Sequence, residues 1–215
     1  MNIVVLAGGL STERDVSFKS GDMIATALRQ NGHKTILLDV FMGYSDKEED
    51  LSNVWERSRE ISVRVKDIPS DAPDILAIKR QRVDKSDNFF GPNVIRLCQM
   101  ADIVFIALHG ENGEDGRIQA AFDLLGVKYT GNDYISSAIA MDKGMTKEFL
   151  RGYDVPFPGG FSIKKHERFA ESNNDAPRFP CVVKPSCGGS SIGVSIVNNV
   201  MEYEYALDEA FRWEN

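Results

Sequence analysis

The sequence predicts an α/β fold built on a parallel sheet, followed by a second, smaller α+β unit. A continuous apolar run at residues 3–7 ends in two glycines, which is typical of a buried parallel strand that enters a tight turn. Further apolar runs alternate with helical patterns over the first half of the chain, and this alternation favours right-handed crossovers and helices on both sheet faces. We place the two units at residues 1–132 and 133–215.

The elements of the first unit follow from apolar periodicity and from glycines that stop helices. Residues 44–87 break this pattern because they are charged and weakly periodic, with Pro69 and Pro73 among them. We therefore expect a solvated excursion at the domain edge with two short helices. The predicted regular elements are strands at 3–7, 35–40 and 103–108 and helices from about 17 to 32 and from about 117 to 125.

The second unit begins near Asp133 and is predicted from shorter segments. Gly152 and the prolines that follow it limit the first helix. The last segment has a clear apolar face, which predicts an amphipathic helix. The predicted elements are a helix through 141–150, a strand at 160–163, a helix at about 165–171, a polar loop at 172–175, strands at 181–184 and 192–197, and a helix at 201–213.

Composition excludes several classes of protein. The chain of 215 residues has 25 Lys and Arg against 32 Asp and Glu, a net charge of −7, which argues against binding nucleic acid or an anionic membrane. It has no apolar run of about 18 residues and no basic leader at its start. Three cysteines at unrelated spacings, Cys98, Cys181 and Cys187, form neither a disulfide framework nor a zinc site. We expect a cytoplasmic protein with reduced cysteines.

The strongest chemical signal is a lysine at the end of an apolar strand, followed by a loop of small residues. Lys184 precedes a loop that contains Gly188, Gly189, Ser190 and Ser191. Glycines allow backbone N–H groups to approach an anion, and the lysine supplies a positive charge for phosphate oxygens. The alternative is a mobile β-hairpin turn with a surface lysine. A charge at the end of an apolar strand would be an odd surface charge without a partner, and this favours phosphate binding.

A second lysine, Lys143, lies in the segment Ala140-Met141-Asp142-Lys143. Taken alone, it is best interpreted as a solvated helix residue. Together with Lys184 it could form a two-lysine clamp on a polyphosphate, where developing charge has to be neutralised.

Two polar segments follow strands of the first unit, at the sheet edge where open α/β folds bind ligands. Glu13 lies in the turn after the first strand. It could hold a substrate ammonium or interact with the dipole of the next helix, and the sequence supports the two interpretations equally. His109 ends the third strand and is followed by Glu114 and Asp115. A histidine at a turn is often structural, but its acidic neighbours suit a ligand-binding network. No matching set of metal ligands follows elsewhere.

These segments, in this order, resemble the D-alanine–D-alanine ligase family of the ATP-grasp superfamily. The resemblance spans the chain except for residues 44–87, and each segment alone would be weak. The matching segments are Ala7-Gly8-Gly9 through Glu13 to Ser17, His109-Gly110 through Glu114-Asp115-Gly116 to Gln119, Tyr129-Thr130-Gly131, Met141-Asp142-Lys143, and Val183-Lys184-Pro185 through Gly189-Ser190-Ser191-Ile192-Gly193.

The resemblance implies a fold, a reaction and a role for each segment. Residues 1–132 would be a Rossmann-like pre-ATP-grasp domain, and residues 133–215 the first α+β subdomain of an ATP-grasp fold. ATP would phosphorylate one D-alanine, and a second would attack the acyl phosphate to give the peptidoglycan dipeptide. By position, Glu13 and Ser190 would fix the first D-alanine and His109 and Glu114 would support it, whereas the ATP phosphates would contact Lys143, Lys184, Gly188, Gly189 and Ser191.

The family's chains continue past residue 215 into the second ATP-grasp half, which would supply the ligands for Mg²⁺ and the adenine contacts. We therefore expect this chain to be an incomplete portion of the ligase, inactive by itself, and the family also implies a homodimer. Two alternatives stay open. One is a ligase that makes D-alanyl-D-lactate or D-alanyl-D-serine, and the other is a truncated, non-catalytic paralogue.

Overall fold

The computed structural model describes residues 1–45, 51–64, 73–167 and 177–213. The chain divides into two compact units, Met1–Ser137 and Ala138–Asn215. The strands are β1 (Asn2–Ala7), β2 (Lys34–Asp39), β3 (Ile103–Ile106), β4 (Cys181–Val183) and β5 (Ser195–Val197). The α-helices are α1 (Arg14–Gln30), α2 (Ile75–Gln81), α3 (Val94–Met100), α4 (Arg117–Leu125), α5 (Tyr134–Met141), α6 (Lys143–Leu150) and α7 (Val200–Ala210).

The first unit is built on a parallel sheet in the order β2-β1-β3. The central strand β1 has a paired neighbour along each edge, and its residues from Ile3 to Ala7 are buried. A parallel bridge between Val104 and Tyr129 extends the sheet beyond β3. The predicted parallel α/β sheet is therefore confirmed, and the carboxyl ends of all its strands lie along one edge.

Successive residues of β1 face opposite sides of the sheet, as the period of two requires. Ile3, Val5 and Ala7 pack in a cluster with residues of α1. Val4 and Leu6 face the larger cluster, which contains residues of α3 and α4. Both faces are covered, so the predicted burial of the sheet on two sides is confirmed.

The expectation of a solvated excursion at 44–87 is wrong for the described part of that segment. Leu51 and Val54 are buried at 1% and 2% exposure and belong to the larger core cluster. Arg82 is also buried, over the ring of Phe41 at 4.7 Å. Apolar residues three apart among charged ones bury one side of the segment, and a low average hydrophobicity hides this pattern. Within the described parts of 44–87, the only regular helix is α2.

Two helices of the first unit differ from the sequence prediction. Helix α1 begins at Arg14, three residues before the expected start, because the Ser17 amide already donates to the Glu13 carbonyl at 2.9 Å. Helix α3 was not predicted at all. Its buried residues Val94, Leu97 and Cys98 have the spacing of a helical face, which is the signal that could have revealed it.

The second unit contains an antiparallel β4–β5 hairpin that packs on α7. The predicted single helix through 141–150 is two helices, because the Asp142 carboxylate accepts from Gly144 N and Met145 N and so caps a new helix. The predicted strand at 160–163 is wrong: these residues pair with no strand in the described parts of the chain. A short 3-10 helix, Lys165–Glu167, stands where a helix was expected, and 168–175 lie outside the described residues.

The last two predicted elements exist but are shorter. Strand β5 begins only at Ser195, because Ser190, Ser191 and Gly193 have positive φ angles that no strand accepts. Helix α7 ends at Ala210. Of the helices in the described residues, none is both long and apolar enough to span a bilayer.

Leu51→Ala tests whether the segment at 51–61 is part of the core. We expect it to lower the free energy of unfolding by about 2–5 kcal/mol, because a buried leucine would leave a cavity. Leu124→Ala is the matched control, since Leu124 is 90% exposed and should change stability by less than about 0.5 kcal/mol. Urea unfolding followed by circular dichroism measures both, and equal effects would contradict the core assignment.

Candidate functional site

A buried serine joins the ends of β1 and β3 at the carboxyl edge of the sheet. The Ser17 hydroxyl accepts from Gly8 N at 2.9 Å and donates to the Ala107 carbonyl at 2.7 Å. Ser17 is fully buried on the first turns of α1. One side chain therefore fixes three segments: the turn after β1, the start of α1 and the loop after β3.

Glu13 lies beside the loop after β3. A methyl group built on Gly110 would approach Glu13 Oε2 at 2.9 Å, so the carboxylate rests against the Gly110 backbone. Ser11 connects the same two loops, because its hydroxyl donates to the His109 carbonyl at 2.8 Å and accepts from Glu13 N at 3.2 Å. The predicted neighbourhood of Glu13 and the His109 loop thus exists within this unit.

His109 and Glu114 organise the same loop from its other side. The His109 ring nitrogen Nε2 lies 3.1 Å from the Ser20 hydroxyl, which holds the ring against α1. The Glu114 carboxylate accepts from Gly110 N at 2.7 Å, so that it closes the turn. The neighbouring Asp115 accepts from Asn112 N at 2.8 Å and supports the turn in the same way. This arrangement holds one carboxylate, Glu13, next to a stiff polar loop.

In the second unit, Lys143 holds the loop that follows β4. Its backbone N–H donates to the Ser186 carbonyl at 2.9 Å, and its ammonium donates to the carbonyls of Ser186 and Gly188 at 3.2 Å and 2.8 Å. The start of α6 and the glycine-rich loop are therefore adjacent. The structure brings Lys143 together with the predicted phosphate loop.

Lys184 directly follows β4 and is exposed. In residues 1–45, 51–64, 73–167 and 177–213 it has no hydrogen-bonding partner, although the strand before it packs on α7. Its ammonium can therefore meet an anion from solvent without first losing a protein contact.

The loop after Lys184 leaves its backbone open. A methyl group built on Gly188 or on Gly189 would meet no atom within 4 Å, but the φ of +92° at Gly188 itself favours glycine. Ser190 and Ser191 follow with φ angles of 52° and 59°, a left-handed pair that turns successive N–H groups toward one side. All four residues are exposed. The loop therefore exposes its backbone to solvent, and Gly189 is a glycine that neither its φ nor a close contact requires.

Sequence reasoning missed several polar residues of this edge. Ser11, Ser17 and Ser20 hydrogen-bond the turn after β1 and the start of α1 to the segment after β3, and these serines gave no distinct signal in the sequence. Arg14 and Asp39 form a buried ion pair there. Asp39 could have been found by the argument applied to Lys184, because it also stands at the end of an apolar strand. Among the described residues, no group of three or more His, Cys, Asp or Glu side chains could hold a metal ion.

Two family models match this chain, one over its first part and one over its last part. The model described as the D-ala D-ala ligase N-terminus matches residues 2–132, more than half of the chain. The chain belongs to the D-alanine–D-alanine ligase family. The model described as the C-terminus of the same ligases matches residues 157–215.

Relatives in this ligase family align over the whole of this chain. The D-alanine–D-alanine ligase of Lacticaseibacillus casei (strain BL23) is 42% identical over 222 residues, which cover 100% of this chain and 59% of the relative. The ligase of Pediococcus pentosaceus is 39% identical over 217 residues, with 100% and 60% coverage. The chain thus spans about 60% of the length of these curated relatives.

Solved ligase structures share the fold. The D-alanine–D-alanine ligase of Bacillus anthracis complexed with ATP superposes with a TM-score of 0.64 at 26% identity, covering 100% of this chain and 56% of that one. The ligase of Coxiella burnetii has the same TM-score and identity, with 61% of its chain covered. The expected α/β architecture with an ATP-grasp relationship is confirmed.

The thiols should differ sharply in reactivity. Cys98 is buried on α3, and desolvation raises its pKa to about 12, so this thiol stays protonated at pH 8. Cys187 is exposed in the glycine-rich loop. We expect iodoacetamide at pH 8 to label Cys187 within minutes and Cys98 only after unfolding, as measured by peptide mass spectrometry. Labelling of both at one rate in the folded protein would contradict this burial.

Proposed function

We propose that this chain carries the D-alanine side and the phosphate-covering side of an ATP-dependent D-alanine–D-alanine ligase. The observation that carries the proposal is the order of its two family matches along one chain: the first contains Glu13, and the second contains Lys184 and the glycine-rich loop. Glu13 serves the amino acid and Lys143 and Lys184 serve the nucleotide. The product is the D-alanyl-D-alanine used for peptidoglycan.

The charge and rigidity of the first site support D-alanine as its ligand. A carboxylate can bind an ammonium group through charge-assisted hydrogen bonds. The Glu13 carboxylate is available for this beside the loop after β3, where it lies against Gly110. His109 and Glu114 hold the loop, so we assign them to positioning rather than to bond making. By its place in the family motif, we also assign Ser190 to binding of the first D-alanine.

The contacts of the second site support phosphate as its ligand. Lys143 and Lys184 flank a loop whose glycines leave open space, and Gly188, Gly189 and Ser191 offer backbone N–H groups. Lysine ammonium groups and backbone N–H groups are the donors that proteins use for phosphate oxygens. ATP would draw the Lys143 ammonium from the loop carbonyls to its phosphates.

The reaction needs no protein nucleophile. A carboxylate oxygen of the first D-alanine attacks the γ-phosphorus of ATP, and ADP leaves. The amine of the second D-alanine then attacks the carbonyl carbon of the acyl phosphate, loses a proton, and displaces inorganic phosphate as the amide forms. The chain contributes positioning and neutralisation of the negative charge on the transferred group.

Mg²⁺ accompanies ATP in the activity that the family resemblance implies. Within the described parts of the chain, no group of three or more His, Cys, Asp or Glu side chains could hold this ion. We also propose a homodimer, which size-exclusion chromatography with light scattering tests directly.

Lys184→Gln tests the nucleotide site. The substitution is made in the protein encoded by the longest natural reading frame that contains these 215 residues. We expect ATP affinity to fall about tenfold to a hundredfold, because one charge-assisted contact to phosphate is lost. The measurement is ATP protection of Cys187 against iodoacetamide, since Cys187 lies in the loop that would fold over the phosphates.

Lys128→Gln is the matched control, because Lys128 is an exposed lysine of the first unit. It should leave ATP protection unchanged. If both variants protect as well as the parent protein, the assignment of Lys184 is wrong.

Glu13→Gln tests the amino-acid site in the same protein. We expect KM for D-alanine to rise at least about tenfold with little change in KM for ATP, because the charged partner of the ammonium is lost and the phosphate loop is untouched. Coupled assay of ADP release at varied D-alanine and ATP measures both constants. Glu111→Gln, on the exposed side of the same loop system, is the control. Equal D-alanine constants in both variants would reject the assignment.

A further inference from the structure

Arg14 and Asp39 form a buried ion pair at the carboxyl edge of the sheet. Arg14 is 7% exposed and Asp39 3% exposed. The guanidinium makes two contacts with the carboxylate: Nη2 pairs with Oδ2, and Nη1 donates to Oδ1 at 3.3 Å. Such a pair is costly to bury unless each partner gains further bonds, so its remaining contacts decide what it does.

Those contacts tie three loops together. Arg14 Nη1 also donates to the Gly9 carbonyl in the turn after β1, and the guanidinium stacks over Phe18 with its centre 4.9 Å from the ring centroid. Asp39 Oδ1 accepts from Phe41 N at 2.9 Å and from Met42 N at 3.2 Å in the turn after β2. The pair thus joins the first turn of α1 to the ends of β1 and β2.

The turn after β1 is shaped for this pair. Gly8 has a φ of +79°, which disfavours any residue with a side chain. A methyl group on Gly8 would also lie 2.9 Å from Asp39 Oδ1 and 2.7 Å from Phe18 Cζ. The glycine therefore leaves room for the ion pair and its stacked ring.

Glu13 is the residue directly before Arg14, and this neighbourhood has two physical consequences. Fixing Arg14 fixes the backbone from which the Glu13 carboxylate reaches Gly110. An unpaired guanidinium buried at the same edge of the sheet would also repel an ammonium ligand there, because charges interact over several ångströms in a poorly screened site. Asp39 removes that repulsion because it neutralises the guanidinium at contact distance.

We propose that Arg14 and Asp39 are positioning residues for the D-alanine site: the pair orients Glu13, and the charge of Asp39 keeps the local field favourable for an ammonium ligand. This inference rests on the proposed role of Glu13. It assigns no contact between either residue and the substrate.

The test compares Asp39→Asn and Arg14→Lys with Arg82→Lys and Asp84→Asn. Arg82 and Asp84 form the comparison pair, since Arg82 is 1% exposed, pairs with Asp84 at 2.7 Å, and also donates to the carbonyls of Asn88 and Phe90 rather than to the turn after β1 or the loop after β3. Its link to the Arg14–Asp39 pair runs through Phe41, on whose ring it stacks and whose N–H donates to Asp39. Dissociation constants for D-alanine and for ATP are measured separately by NMR titration of the protein encoded by the longest natural reading frame that contains these residues. Circular dichroism is used to choose a temperature at which the titrated variants are folded. Arg14→Lys retains the charge, so it stays informative if Asp39→Asn does not fold.

We expect both site variants to weaken D-alanine binding about tenfold while ATP binding changes less than about twofold, and both control variants to change neither. A loss of D-alanine affinity equal in site and control variants would show a purely structural pair and overturn the inference. Glu13→Gln separates the proposed D-alanine site from the proposed role of Arg14 and Asp39. If it leaves D-alanine binding intact, the proposed D-alanine site itself fails, whereas a defect in Glu13→Gln alone rejects only the role of Arg14 and Asp39.

Discussion

Parallel pairing of β1 between β2 and β3 is the constraint on which the first unit depends. Because all three strands run in one direction, the segments that follow them emerge at a single edge. Burial of β1 on both faces prevents its register from shifting, since a slip of one residue would exchange the two core clusters. Glu13 and His109 are far apart in sequence and meet only because of this pairing.

Hydrogen bonds between loops turn that shared edge into a rigid site. The Ser17 hydroxyl and the Arg14–Asp39 pair act from the start of α1, where they reach the ends of all three strands. The second unit has a similar arrangement. Lys143 begins a helix, and its ammonium holds the adjacent loop through two carbonyls. In both units a helix start carries the polar group that organises its neighbouring loop.

Prediction from sequence succeeded where local patterns were strong and failed where packing decided. The apolar run of β1 was found because burial on both faces of a sheet leaves a short, uninterrupted apolar signature. The strand before Lys184 was found from its apolar residues, although Val182 is 55% exposed in the hairpin. The burial of the segment around Leu51 and Val54 was not predicted. Its few apolar residues are buried because they pack against the larger core cluster on one face of the sheet, and this contact cannot be read from the local sequence. The expected strand at 160–163 has suitable residues but no pairing partner in the described chain, and pairing is a non-local property.

The sequence by itself determined the α/β class, the order of the motifs and the family, because glycines, charges at strand ends and apolar periodicity are local and ordered along the chain. Only the tertiary structure decided which polar groups meet. It set the Glu13 carboxylate against Gly110, joined Arg14 to Asp39 across 25 residues, and placed the Lys143 ammonium on the carbonyls of a loop more than 40 residues away. Such contacts depend on the pairing and packing of distant segments, which no local pattern encodes.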